Sequence, residues 1–421
     1  MSFQTALSGL NASSKNLDVI GNNVANSSTV GFKASTAEFA DVFAASLSGG
    51  GASQAGIGTK LAAVAQQFTQ GNITTTNNPL DVAVNGKGFF VLSNNGARSY
   101  TRNGQFQVDK NNNIVTSGGL LVQGYQVDNT DPANPVITGQ LGNLTVDTKD
   151  QNPQVTTAAT VGANLDANSQ IPTAIWVSPD PSATPPVPVD PNSYNSSTST
   201  TVYDSLGNSH VVGMYFIKTA ANTWNVQYTI DGSGVAAAGG PSVLTFTSAG
   251  VIDSGTPPSG TSVTFTLPPT LGATMPAVDF KFDSMTQFGS KFGVNSLTQN
   301  GYASGSLAGF SIGKDGILQG RYTNGQTRTL GQLALANFAN PQGLQSLGDN
   351  QWAESPSSGP ALVGAPGTAS LGVLQSSSTE DSNVDLTQEL VNMIVAQRAY
   401  QANAQTIKTQ DAIQQTLMNL R

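Results

Sequence analysis

Leu386-Thr387-Gln388-Glu389-Leu390-Val391-Asn392-Met393-Ile394-Val395-Ala396-Gln397-Arg398-Ala399-Tyr400 is the stretch on which the fold turns. Leu386, Leu390, Met393, Gln397, Tyr400, Ala404 and Ile407 recur at alternating steps of four and three, the seam pattern of a packed helix. Ile413, Leu417 and Leu420 resume it after a shift of register. The spacing predicts a helix from about 384 to 420. Ser382 with Asp385 three residues on fits a capping box. Asp385 and Glu389 lie where the positive end of a helix dipole favours carboxylates.

The other end of the chain carries the same step. Phe3, Leu7, Leu10, Leu17 and Val24 fall on it if Ser14 and Gly21 fill the gaps, and no proline occurs before Pro79. Gly21-Asn22-Asn23 is expected to end or fray this first helix.

Between the helices the pattern changes to short alternating runs broken by turn residues. Phe89-Phe90-Val91-Leu92 is followed by Asn95-Gly96, and further turns fall at Asn103-Gly104, Asp315-Gly316 and Asn324-Gly325. Residues 169–192 are rich in proline and read as a long loop. Alternating segments follow at 198–204, 210–217 and 223–230, with weaker ones at 242–247, 262–267 and 278–283. The order is helix, β, insert, β, helix: a mainly β chain with terminal α-helices, nested so that its ends meet. The expected division is a terminal coiled-coil domain at 1–25 with 384–421 and connecting joints at 26–70 and 356–383. An inner β domain is expected at 71–145 with 285–355, and an outer β domain at 146–284.

Composition narrows the function. Charged residues are 10% of the 421, against roughly 25% in ordinary soluble chains. The polar load rests on Asn, Gln, Ser and Thr, whose neutral surfaces repel copies of themselves weakly. A net charge of −8 makes nucleic acid and anionic membrane poor partners. Without cysteine there is no disulfide, thiolate chemistry or thiolate metal site. No cleavable leader stands out at the start, and no apolar run approaches the ~20 residues that span a bilayer.

Candidate chemistry is sparse. His210 precedes Val211-Val212 and reads as a surface strand histidine; no nucleophile elbow supports a triad built on it. Asp109-x-Asn111-x-Asn113 begins like a calcium loop, but Ile114 stands where glycine is needed and Leu120 where glutamate is needed, so it reads as a polar turn. Gly56-Ile57-Gly58-Thr59-Lys60 lacks the order of a phosphate loop. No catalytic residue, metal ligand or cofactor site is expected.

The ends also carry longer motifs. Ser8-Gly9-Leu10-Asn11-Ala12, Gly21-Asn22-Asn23-Val24-Ala25-Asn26 and Thr29-Val30-Gly31-Phe32-Lys33 open the chain. Asn383-Val384-Asp385-Leu386 and Ala396-Gln397-Arg398-Ala399-Tyr400-Gln401-Ala402-Asn403-Ala404 close it. Asn78-Pro79-Leu80-Asp81-Val82-Ala83-Val84-Asn85-Gly86-Lys87-Gly88-Phe89-Phe90, Tyr100-Thr101-Arg102-Asn103-Gly104 and Val202-Tyr203-Asp204-Ser205-Leu206-Gly207 lie between. Together they resemble the flagellar rod and hook axial proteins across most of the chain, least over 146–195 and 231–280.

That resemblance implies a non-enzymatic subunit of a helical tube, exported by the flagellar type III apparatus without a cleaved leader. The chain's length and its 146–284 insert favour the hook branch over the shorter rod proteins. In the hook, the tube is a universal joint that carries torque from motor to filament. The implied partners are further copies of the chain, the distal rod protein, the hook cap and the hook–filament junction proteins. The assembly interface is expected on Phe3, Leu7, Leu10, Leu17, Val24, Leu386, Leu390, Met393, Tyr400, Ile407, Leu417 and Leu420, with the ends largely disordered until copies surround them. Phe39 with Phe43 resembles the family's export-gate motif; two rings packed on one helical turn is the alternative. A rod or hook-associated subunit, and a secreted carbohydrate-binding or adhesive β protein, are the competing readings.

Overall fold

The computed structural model describes residues 2–42, 56–128, 135–235, 241–253, 259–264 and 272–419. It is mainly β, with one helix at each end: α1, Ser2–Ala25, and α2, Leu386–Asn419. The chain forms two compact units. The first comprises Met1–Thr148, Gly309–Arg321 and Thr327–Arg421; the second comprises Lys149–Ala308 and Tyr322–Gln326. Residues 285–308 therefore fold with the insert, not with the inner β domain to which their sequence position assigned them.

α1 does not stop at Gly21-Asn22-Asn23; it continues to Ala25. Its last turn is held from outside. Asn23 is buried, donates from Nδ2 to the Ser35 carbonyl (2.8 Å) and accepts the Ser35 N–H at Oδ1 (2.9 Å). Asn26 Nδ2 donates back to the Asn22 carbonyl at 2.9 Å. These bonds supply partners that a frayed end would seek from water.

The segments expected to be joints carry strands. β1 (Ser35–Val42) and β2 (Gly58–Gln66) pair antiparallel, with a bulge at Glu38/Phe39, as a ribbon separate from the larger sheets. β3 (Ile73–Thr75) pairs with Ser378–Glu380, and β4 (Val82–Asn85) pairs with Val373–Ser376. The expected hairpin is present: β5 (Phe89–Asn94) and β6 (Ala97–Thr101) are joined by Asn95-Gly96, both at positive φ, as a two-residue type I′ loop requires.

The core of the first unit is a cluster of edge-to-face aromatics. Phe89 meets Phe68 (5.5 Å between centroids), Trp352 (5.6 Å) and Phe338 (5.8 Å), and Tyr100 meets Phe338 at 4.8 Å. Such pairs add about 0.5–1.5 kcal/mol each beyond burial. The buried Trp352 indole is satisfied by Gln66 Oε1 at 2.6 Å.

In the second unit two sheets share one core. Ala158–Asp166 is the centre of one. It pairs in parallel with Val278–Lys281 and Thr286–Phe288, and antiparallel with Gly293–Gln299. Ser196–Tyr203, Ser209–Ala220 and Thr223–Ile230 run antiparallel in the other. Val161, Leu165, Phe216, Trp224, Phe280 and Phe282 are buried between them. The proline-rich loop lies on the outer face of the second sheet, where Trp176 packs tilted against Tyr215 (5.0 Å between centroids) and Tyr194 meets it edge-to-face (4.9 Å).

Candidate assembly interface

The roots of both terminal helices are fixed to the β1–β2 ribbon by asparagine side chains. Asn23 does this for α1. Asn383 does it for α2: its Oδ1 accepts the Ala34 N–H (2.7 Å) and its Nδ2 donates to the Gln67 carbonyl (2.7 Å) and Thr69 Oγ1 (2.8 Å). A primary amide has the donor and acceptor of a peptide group, so each asparagine acts as one more rung of a ladder. Both lie in the terminal motifs. Periodicity passes over them because it registers apolar positions only.

The cap of α2 is Asp385, not Ser382. Asp385 Oδ1 accepts the N–H groups of Thr387 (2.9 Å) and Gln388 (3.1 Å), while Ser382 Oγ reaches only Val384 N–H, outside the helix. The helix accordingly begins two residues later than the spacing suggested.

Glu380, just before this root, gathers three segments of chain. Its carboxylate meets Lys33 Nζ at 2.7 Å, Arg102 Nη1 at 3.2 Å and the Gly71 N–H at 3.0 Å. All three charged side chains are almost wholly removed from solvent. Lys33 Nζ also donates to the Thr69 carbonyl, and Arg102 Nη2 to the Gly86 carbonyl (both 2.8 Å). Burial lowers the pKa of Lys33 and of Arg102; Glu380 opposes that shift in both. Gly31 makes the approach possible. Its φ is +71°, a Cβ there would stand 2.6 Å from the Asn103 nitrogen, and its N–H reaches the Glu380 carbonyl at 2.7 Å.

α1 and α2 run antiparallel from these roots. Gly9 lies against Asn403, where a Cβ would come within 2.9 Å of the amide nitrogen. α1 buries Ala6, Ile20 and Asn23, and α2 buries Ala396, with Met393, Asn403 and Ile407 half-buried. A cleft of about 570 Å³ opens between the two helices and the ribbon. Small residues make up part of its lining, among them Gly9, Ala12, Ser13, Ala396 and Ala399, and Glu389 lines it together with Phe39 and Val395.

The seam residues divide. Leu10, Leu17, Val24, Met393 and Ile407 are half-buried. Phe3, Leu7, Leu386, Leu390 and Tyr400 are exposed, and so are Val391, Ile394 and Val395, which the seam pattern leaves out. The Leu417 side chain, Leu420 and Phe43 lie outside the described residues. Phe39 stands on β1 opposite Leu61, so it is not part of a helical turn.

His210 is not the surface histidine its position suggested. It is buried, with Nδ1 at 2.7 Å from Asp231 Oδ2 and Nε2 at 3.4 Å from Asp204 Oδ2. With both nitrogens engaged by carboxylates, the ring has none free to activate a nucleophile. Burial acts to lower its pKa, but the two carboxylates prevail and the pKa is raised. Asp109 accepts the Asn111 and Asn113 N–H groups at 2.8 Å each, the polar turn read from the sequence. Among the described residues no group of three or more His, Asp or Glu is placed to hold a metal ion. No described helix is long and apolar enough to cross a membrane.

Family profiles match at both ends and in the middle. They are the flagella basal body rod protein over residues 3–33, the flagellar hook protein FlgE/F/G D1 domain over 83–171, the flagellar basal body protein FlaE D2 domain over 164–302, and the flagellar basal body rod FlgEFG protein C-terminal over 375–420. The flagellar hook protein FlgE of Salmonella typhimurium is 44% identical over 431 aligned positions covering all of both chains. That of Escherichia coli K12 is 43% identical over the same span. That of Borreliella burgdorferi is 31% identical over all of this chain and 99% of its own. The crystal structure of Helicobacter pylori flagellar hook protein FlgE2 shares the fold, with a TM-score of 0.52 at 13% identity over 72% of this chain and 99% of that one. Two helices rooted side by side on one ribbon, β units set between them in sequence, and identity along the whole chain lead to one assignment: the chain belongs to the flagellar hook protein FlgE family.

Proposed function

We propose that copies of this chain join through their terminal helices, and that Phe3, Leu7, Leu10, Leu17, Val24, Leu386, Leu390, Met393, Tyr400, Ile407, Leu417 and Leu420 carry that contact. The chain is a structural subunit of the flagellar hook and not an enzyme, and the hook belongs to the external flagellum. One observation supports the terminal contact above others. Over the first three turns of α2, Leu386, Leu390, Val391, Ile394 and Val395 are 45–62% exposed, an apolar surface that burial against a neighbour would stabilise by about 25 cal/mol per Å².

On this reading residues 1–25 with 384–421 line the inner wall of a helical tube. Interdigitated apolar side chains there have discrete packing states and resist twisting. The β units lie outside, where neutral Asn, Gln, Ser and Thr surfaces exchange hydrogen bonds and water as the tube bends. The segments 26–70 and 356–383 connect the two, fixed at Glu380, Asn23 and Asn383. The distal rod protein would hold the base of the tube, and the hook cap and hook–filament junction proteins its far end. The type III apparatus would export the chain, with Phe39 and Phe43 as its recognition pair.

Leu390→Asp and Ile407→Asp test the terminal contact. Each is expected to abolish polymer seen by electron microscopy while the β units keep their circular dichroism. Normal tubes from both would remove the helices from the interface.

A further inference from the structure

α2 carries opposite charges on opposite faces. Glu389 faces the cleft between α1, α2 and the ribbon, and its Oε2 is buried with no hydrogen-bond partner among the described residues. Arg398 is exposed and has no ion pair or hydrogen bond among the described residues. Nine residues separate them, which on an α-helix is about 180° of rotation and roughly 13.5 Å of rise. Val391 and Ile394, 50% and 51% exposed, lie on the Arg398 face. The cleft offers the matching shape, because Ala12, Ser13, Ala396 and Ala399 of its lining are small and leave room for larger side chains.

We infer that the outward face of α2 of a second copy seats in this cleft, its Val391 and Ile394 over the small residues and its Arg398 against Glu389. The inference rests on the proposal that terminal helices carry assembly, and adds which face meets which. Charge complementarity selects the occupant. A buried carboxylate oxygen lacking a donor is costly, and the same helix displays an unpaired guanidinium beside an apolar stripe. A planar fork of donors suits a carboxylate. Because the two halves of the contact lie on opposite faces of one element, a copy that fills a neighbour's cleft still offers its own. Such a heterologous contact propagates as an open helical array and does not close into a pair. The first-turn position of Glu389 also suits the helix dipole, but the dipole gives Oε2 no partner.

Charge reversal tests this with the full chain. Glu389→Arg and Arg398→Glu should each raise the concentration needed for sedimentable polymer at least tenfold. Their equimolar mixture should polymerise, since each then supplies the charge the other lacks, and the double variant E389R/R398E should polymerise alone. Polymer from each single variant at the wild-type concentration would overturn the pairing. So would failure of both the mixture and the double variant. Folding defects are separated by a second measurement. The chain has no cysteine, so Glu389→Cys/Arg398→Cys polymer treated with a short bis-maleimide should give a ladder of linked copies, and monomers alone would overturn the contact. If Leu390→Asp and Ile407→Asp both assemble normally, the terminal-helix proposal itself fails. If Leu390→Asp is blocked while the reversals have no effect, only the Glu389–Arg398 assignment fails.

Discussion

Glu380 shows how one carboxylate can fix both ends of a chain to its β framework. Its side chain is fully buried between Lys33, which follows α1, and Arg102, which follows β6, and its backbone holds Gly31. Removing one partner from such a cluster leaves charge in a low dielectric, and typically costs about 3–5 kcal/mol, whereas replacing every member by apolar groups can be neutral. Glu380→Gln is therefore expected to lower stability in urea unfolding by that order. The triple variant Lys33→Met/Arg102→Met/Glu380→Met should recover much of it. Equal loss in both would make the site a matter of packing, not charge. His210 sets a pH window in the second unit. Its folded pKa is raised by Asp231 and Asp204, so its contribution is fully present below the unfolded value of about 6.5 and is lost as pH rises through the folded pKa. Asp204 runs the other way. Burial acts to raise its pKa, but hydrogen bonds from Asn208, Leu206 and His210 prevail and lower it. Its contribution is present above about 3.9 and lost as pH falls through the lowered value. Unfolding free energies of His210→Gln and wild type, measured between pH 5 and 9, should differ most at the acid end. A constant difference would remove the imidazolium from the account.

At the scale of elements, the caps and staples decide where the helices begin. Asp385→Ala removes the acceptor of two N–H groups and should cost about 1 kcal/mol, read as faster amide exchange in the first turn of α2. Ser382→Ala should leave that turn unchanged. Both helices were legible because their apolar residues recur at helical steps over many turns. The faces were not, since periodicity counts apolar positions and the α1–α2 contact uses Gly9, Ala396 and Asn403 as much as leucine. The extension of α1 past Gly21 depends on Ser35, a long-range partner that local propensity does not contain. The β1–β2 ribbon was hidden for a related reason. Ser35–Val42 and Gly58–Gln66 are rich in alanine, which disfavours strands, and they form one because α1 and the asparagines hold them. Ala158–Asp166 escaped notice likewise: its alanines and Gly162 suit the crowded centre of a sheet without announcing β structure.

At the scale of the molecule, the two helices are unequal. α1 has 24 residues and α2 has 34, which is about 36 Å against 51 Å. With Gly9 opposite Asn403 in an antiparallel pair, the start of α1 falls near residue 410. Among the described residues the last turns of α2 then extend past the start of α1, and residues 411–416 are all exposed. A free helix shorter than ~12–15 residues is marginal in water, and this one lacks a basic residue in its last turn to complement the dipole. Amide exchange of the isolated monomer should therefore rise along α2, slow near Ala396 and approaching the unfolded rate from about 411. In the polymer the same amides should be slowed at least a hundredfold, because neighbouring copies then supply the packing that α1 cannot reach. Protection of 411–419 in the monomer equal to that in the polymer would mean that the helix ends are stable alone, and that assembly does not order them.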